Sequence, residues 1–183
     1  MNFFTSDLHL SHANIIKYCN RPFDTIEEMD ETIINNWNRV VTPKDTVYNL
    51  GDLSMHLPTD RLVEVLKRLN GRHVFIIGNH DGKNVTRALK ELNIECHKML
   101  EITVNDDEIG KQGITLCHYP LLSWNCSHRG AWNLYGHHHG TTRGISHGLS
   151  PRHLDVGQDK HNFTPISFHD VKVTITRQHM EQE

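Results

Sequence analysis

The sequence has no Cys-x-x-Cys pair, no run of basic residues and no long apolar stretch. Its four cysteines, Cys19, Cys96, Cys117 and Cys126, stand apart and read as reduced, packed thiols of a reducing compartment. Duplex-binding domains carry a clustered basic face. With 19 basic against 22 acidic side chains and a net charge of −3, this chain shows none, which argues against extended nucleic acid as a partner. A nucleotide remains compatible. No segment approaches the roughly 20 apolar residues that a membrane helix needs. The start, Met1-Asn2-Phe3-Phe4, lacks the basic n-region of a secretory signal, so a cytoplasmic protein is expected. Repeats, low-complexity tracts and linkers are absent too, and residues 1–183 read as one domain. Nothing in the sequence sets an oligomeric state.

What the chain does have is histidine, 16 in all, and their placement matters more than their number. Hydrophobic spacing predicts strands over Phe3–Ser6, Thr46–Leu50, His73–Ile77, Ile114–Cys117 and Asn133–Tyr135. A last strand is predicted over Val171–Thr176, where apolar residues alternate. Helices are predicted from Thr25, which has capping-box spacing to Glu28, over Asp60–Leu69 and over Val85–Leu92. Early strands alternate with helices, and an α/β fold follows. Asp7, Asp52, Asn79, His118 and His137 each fall just after a strand. In α/β sheets, ligand sites form outside the carboxyl ends of strands.

The groups at those ends are Asp7-Leu8-His9, Gly51-Asp52, Gly78-Asn79-His80-Asp81, His118 and Gly136-His137-His138-His139. The chain is expected to stay extended past each strand, so that Asp7 and His9 point to one side, as do His137 and His139, while His138 points away. A pair of metals roughly 3.5–4 Å apart can clamp the attacking and leaving oxygens of an in-line phosphoryl displacement. Asp52 is the candidate bridging carboxylate. Two carboxylates, Asp7 and Asp52, against two divalent ions leave the site positive, which suits an anionic phosphate. Mixed nitrogen and oxygen donors favour transition metals, with Mn²⁺ expected first and Fe, Zn, Ni or Co as alternatives, over Mg or Ca.

Taken in order, these motifs resemble the calcineurin-like metallophosphoesterase superfamily over Asp7 to His139. The resemblance implies a four-layer αββα sandwich of two mixed β-sheets flanked by helices. It implies one metal on Asp7, His9, Asp52 and His139, and a second on Asp52, Asn79, His118 and His137. His80 is then the active-site histidine beside the leaving group. Protein Ser/Thr phosphatases extend Gly-Asp to Gly-Asp-x-Val-Asp-Arg-Gly, whereas here the run is Gly51-Asp52-Leu53-Ser54-Met55-His56. The segment Ser6-Asp7-Leu8-His9-Leu10-Ser11-His12-Ala13-Asn14 is instead similar to compact bacterial and phage phosphoesterases.

The expected reaction is hydrolysis of a small phosphate ester, a phosphodiester ahead of a monoester, by a metal-bridging hydroxide. His80 acts as general acid, with Asp81 expected to orient its imidazole. His12, Asn14 and Arg21 are candidates for the non-bridging oxygens, with plain loop structure as the alternative. His56 reads as a solvated residue, with a place on the rim after Asp52 as the alternative. Trp124, Trp132 and Tyr119 are packing residues or base-stacking surfaces. His147, His153, His161, His169 and His179 have no motif context. Two other function classes compete: a non-catalytic scaffold that keeps the fold, and a nuclease on long nucleic acid. The complete ligand set and His80 argue against the first; the missing basic face argues against the second.

Overall fold

The computed structural model describes residues 1–141 and 150–181; His147 lies outside them. The elements run β1 (Asn2–Thr5), α1 (Ala13–Tyr18), α2 (Ile26–Val40), β2 (Thr46–Asn49), α3 (Thr59–Arg68), β3 (Arg72–Ile76) and α4 (Lys83–Glu91). Then come β4 (Glu95–His97), β5 (Met99–Asp106), β6 (Gly110–Cys117), β7 (Trp132–Tyr135), β8 (His153–Asp155), β9 (Ile166–Ser167) and α5 (Phe168–Met180).

Two mixed sheets form, flanked by helices, as the family resemblance implies. The first has the order β4-β3-β2-β1-β9, with β9 antiparallel to β1 and the rest parallel. The second has the order β5-β6-β7-β8, with only β5 antiparallel to its neighbour. Successive strand residues face opposite sides. Phe3, Val47 and Phe75 therefore enter one core with the buried faces of α2, α3 and α4. Phe4 and Ile76 enter another, shared with Ile114, Leu116, Trp132, Leu134 and Leu154 of the second sheet. Helix α2 starts where Thr25 accepts the Glu28 N–H at 3.1 Å, and it buries Met29, Ile33 and Trp37.

The predicted strand over Val171–Thr176 is instead part of α5. Ser167 and Asp170 make a reciprocal capping box at its start, which commits the following turns to helix. Phe168, Val171 and Ile175, three and four apart, are buried, whereas Val173 is 52% exposed. Alternating β-branched residues imitate a strand here, but the burial has a helical period. Among the described residues, no helix is long and apolar enough to cross a membrane.

The two sheets meet at their carboxyl ends. Ser6, just past β1, bridges in parallel to Gly157, just past β8, and Gln158 donates its N–H to Ser6 O at 3.1 Å. Strand ends from both sheets thus open onto one rim.

Candidate metal centre

Asp7, Asp52 and Asn79 follow β1, β2 and β3 of the first sheet, and His118 and His137 follow β6 and β7 of the second. The loops that carry them are not extended. Asp7, His9, Asp52, His137 and His139 all have left-handed backbones, with φ of 59°, 50°, 57°, 73° and 49°. The alternation argument for pairing Asp7 with His9 therefore fails in its mechanism, although the two side chains do converge. Non-glycine residues rarely adopt this region, and they persist in it only when neighbours over-determine it. Here Asp7 and His9 donate their N–H groups to Gly51 O and Asp52 O at 2.9 and 3.0 Å, locking one loop to the next.

Two glycines make that closeness possible. Gly51 has φ of +104°, and a Cβ there would lie 2.8 Å from His118 Nδ1. A Cβ on Gly136 would overlap Ser6 Oγ and Asp7 Oδ2.

The side chains gather into two groups. Asp7, His9 and His139 offer ligand atoms within 4.8 Å of one another, and so do Asp52, His118 and His137. Asp52 stands between the groups: its Oδ2 is 3.6 Å from His9 Nε2 and 3.5 Å from His118 Nε2. Its other oxygen accepts the His80 N–H at 2.8 Å. Asn79 Oδ1 lies 2.9 Å from His118 Nε2.

The donor set fits divalent cations. Both ring nitrogens of His9 are buried without a hydrogen-bond partner, a costly arrangement unless one of them meets a cation. Burial also drives the His9 pKa down to about 3, so its lone pair is free at neutral pH. His118 Nδ1 sits 2.8 Å from Leu50 O, which leaves Nε2 for the site. Burial pushes the Asp7 carboxyl up to about 6. Burial acts the same way on Asp52, but the His118 hydrogen bond and charge and the His80 N–H outweigh it, leaving a pKa of about 2. On His139 burial is again outweighed, here by Asp159, and the pKa rises to about 10.

An open cavity of about 620 Å³ lies over the cluster. His12, Asn14, Tyr18, His56, His80 and His138 are among its walls, and His56 is both exposed and on the rim of the site. His138 stands on the wall, edge-on to His137, and joins neither ligand group. Tyr119 packs on His118 and His137 at 5.0 and 4.8 Å. Trp124 and Trp132 are buried, the first against His153 and the second stacked on Phe168, so neither offers a face to a substrate.

Two expected site residues do other work. Asp81 was expected to orient the His80 imidazole. Its carboxylate instead accepts the N–H groups of Asp52 and Gly78 on Oδ2, both at 2.8 Å, and of Leu53 on Oδ1 at 2.9 Å. It clamps the β2 and β3 loops together. Arg21 was a candidate for the non-bridging phosphate oxygens, with loop structure as the alternative. It is buried, and its five N–H donors go to Asp159, Leu8 O, Asp7 O and the Met29 sulfur.

Asp159, Asp155 and Cys19 were not visible in the sequence as site residues. Asp155 holds the Gly140 and Gly157 N–H groups at 3.1 and 2.8 Å. Cys19 groups with His139 and Asp159, sharing His139 with the first ligand group. None of the three lies in a recognisable motif. Asp155 ends β8 and Asp159 follows it closely, and that three-residue strand is too short to announce itself.

Two mixed sheets with a paired Asp/His/Asn cluster at their carboxyl ends define an α/β sandwich built around a metal centre. The sequence profile of the calcineurin-like phosphoesterase family matches residues 3–174, and the chain belongs to that family. Membership makes it, in general terms, a metal-dependent phosphoesterase. The chain is similar to an uncharacterized protein of Methanocaldococcus jannaschii, 36% identical over 168 residues, covering 90% of this chain and 85% of that protein. It is also similar to the gene 66 protein of Mycobacterium phage L5, 28% identical and covering 85% of each chain. Among solved structures, a protein of unknown function from Aquifex aeolicus superposes with a TM-score of 0.70 at 22% identity, covering 94% of this chain and 97% of the other. That likeness speaks to the fold alone.

Proposed function

We propose that the protein hydrolyses small phosphate esters, phosphodiesters ahead of monoesters, with two divalent transition-metal ions, Mn²⁺ foremost. The observation that carries this reading is Asp52 Oδ2, placed between His9 Nε2 and His118 Nε2 and flanked by two ligand groups. Asp7, His9, Asp52 and His139 would hold one ion; Asp52, Asn79, His118 and His137 would hold the other. Bound there, such a pair supplies an activated water and neutralises phosphate charge.

The remaining work falls to the chain's own residues. His80 is fixed through its main chain to Asp52, and its ring packs edge-on to His9 at 5.4 Å between centroids, on the cavity wall. In this reading it gives a ring-nitrogen proton to the departing alkoxide. His12 and Asn14 line the same wall and are assigned to the non-bridging oxygens. Arg21 is excluded from that role because its donors are spent. No Lys or Arg occurs among the described residues lining the cavity, which supports a diester with one negative charge over a monoester dianion. The cavity has room for a nucleotide-sized substrate. Four free cysteines fit a cytoplasmic setting.

The test compares bis-p-nitrophenyl phosphate, p-nitrophenyl phosphate and a phosphopeptide as substrates of the Mn²⁺-loaded protein. The diester is expected to give the highest kcat/KM. A clear preference for the phosphopeptide would overturn the substrate assignment.

A further inference from the structure

The two proposed ion positions are not held alike, and the difference lies outside the ligands. His139 turns Nε2 toward Asp7 Oδ1, 4.0 Å away, while its Nδ1 lies 2.9 Å from Asp159 Oδ2. Asp159 is gripped in turn by Arg21, with Nε to Oδ1 at 2.8 Å and Nη2 to Oδ2 at 2.9 Å. The same guanidinium donates from Nη1 to Leu8 O at 2.9 Å and from Nη2 to Asp7 O at 2.7 Å. The Arg21 side chain is fully buried and that of Asp159 is 8% exposed. One buried pair therefore ties the loop carrying Asp7 and His9 to the loop carrying His139, from the other sheet.

The second position is supported differently. The outer nitrogen of His118 rests on a neutral carbonyl, Leu50 O, and Asn79 is an exposed, uncharged donor. A carboxylate on the far nitrogen of an imidazole fixes its tautomer, aims its lone pair and raises its basicity as a ligand. Of the ligands that only one position uses, Asp7 and His9 of the first are at most 1% exposed, whereas the second combines His118, also 1% exposed, with the exposed Asn79.

We infer that Asp159, locked by Arg21, is a positioning residue that makes the Asp7/His9/Asp52/His139 position the tighter of the two. The inference rests on the dinuclear reading above. Sequence gave no sign of it, because Asp159 belongs to no motif and reaches His139 only through the fold.

Calorimetric titration of metal-free protein with Mn²⁺, with bound metal counted by elemental analysis, tests it. Wild type is expected to take up two ions with distinct affinities. Asp159→Asn should weaken the tighter one by about 10–100-fold and leave the weaker one in place. Asp159→Glu, which restores the carboxylate, should recover part of the loss. A second measurement needs no variant: crystals of wild type given one equivalent of Mn²⁺ should show anomalous density beside Asp7, His9 and His139. Unchanged tight binding in Asp159→Asn, equal weakening of both ions, or first occupancy beside Asn79 and His118 would each overturn the inference alone. A wild type that binds fewer than two ions would overturn the dinuclear reading, and the inference with it.

Discussion

Asp81 and His80 are neighbours in the chain, and the proposed reading gives them separate tasks. The Asp81 carboxylate is buried and accepts three backbone N–H groups, so its removal strands those donors. Asp81→Ala is expected to lower the unfolding free energy by about 3 kcal/mol or more, because charged hydrogen bonds and buried unpaired donors are both costly to lose. His80→Ala should leave fold and metal content intact. It should slow an alkyl ester by about 10²–10⁴-fold and a nitrophenyl ester much less, since only the poorer leaving group needs the proton. Urea unfolding and paired rate measurements check both variants. If Asp81→Ala shows the leaving-group signature of His80→Ala at unchanged stability, the orienting role returns to Asp81. The identities of the clustered residues were legible because each ends a strand within a short motif. Their geometry was not: left-handed backbones at Asp7, His9 and Asp52 depend on hydrogen bonds between loops far apart in sequence.

The elements were legible where one period dominates. Met29, Ile33 and Trp37 mark α2, and the apolar runs of β2 and β3 end at glycine. Strands β4, β8 and β9 are three, three and two residues long, too short to display a period. Strand β5 does alternate, with Leu100, Ile102 and Val104 turned toward the core, but the intervening Glu101, Thr103 and Asn105 keep it polar on average. At α5 the local pattern points the wrong way, and a pair of substitutions tests the helix. A strand would place Val171, Val173 and Ile175 on one face. The helix buries Val171 and leaves Val173 52% exposed. Val171→Ala should cost about 2 kcal/mol and Val173→Ala close to nothing, given roughly 0.8 kcal/mol per buried methylene plus a cavity cost. Equal losses would favour the strand.

At the scale of the molecule, the decisive feature is that two sheets deliver their carboxyl ends to one rim. Five strand ends bring the candidate ligands together, and Arg21, Asp81 and Asp155 hold the intervening loops by their main-chain groups. Sequence order shows which residues belong to the rim; it does not show the second set of residues that brace it. The central claim is that hydrolysis depends on two ions sharing Asp52. Its most direct test is a titration of metal-free protein with Mn²⁺ in which bound metal and hydrolysis of bis-p-nitrophenyl phosphate are followed together. Hydrolysis should rise only as the second ion binds, and Asp52→Asn should lose both ions and the activity. Full activity at one ion per chain, or hydrolysis by the metal-free protein, would contradict the account.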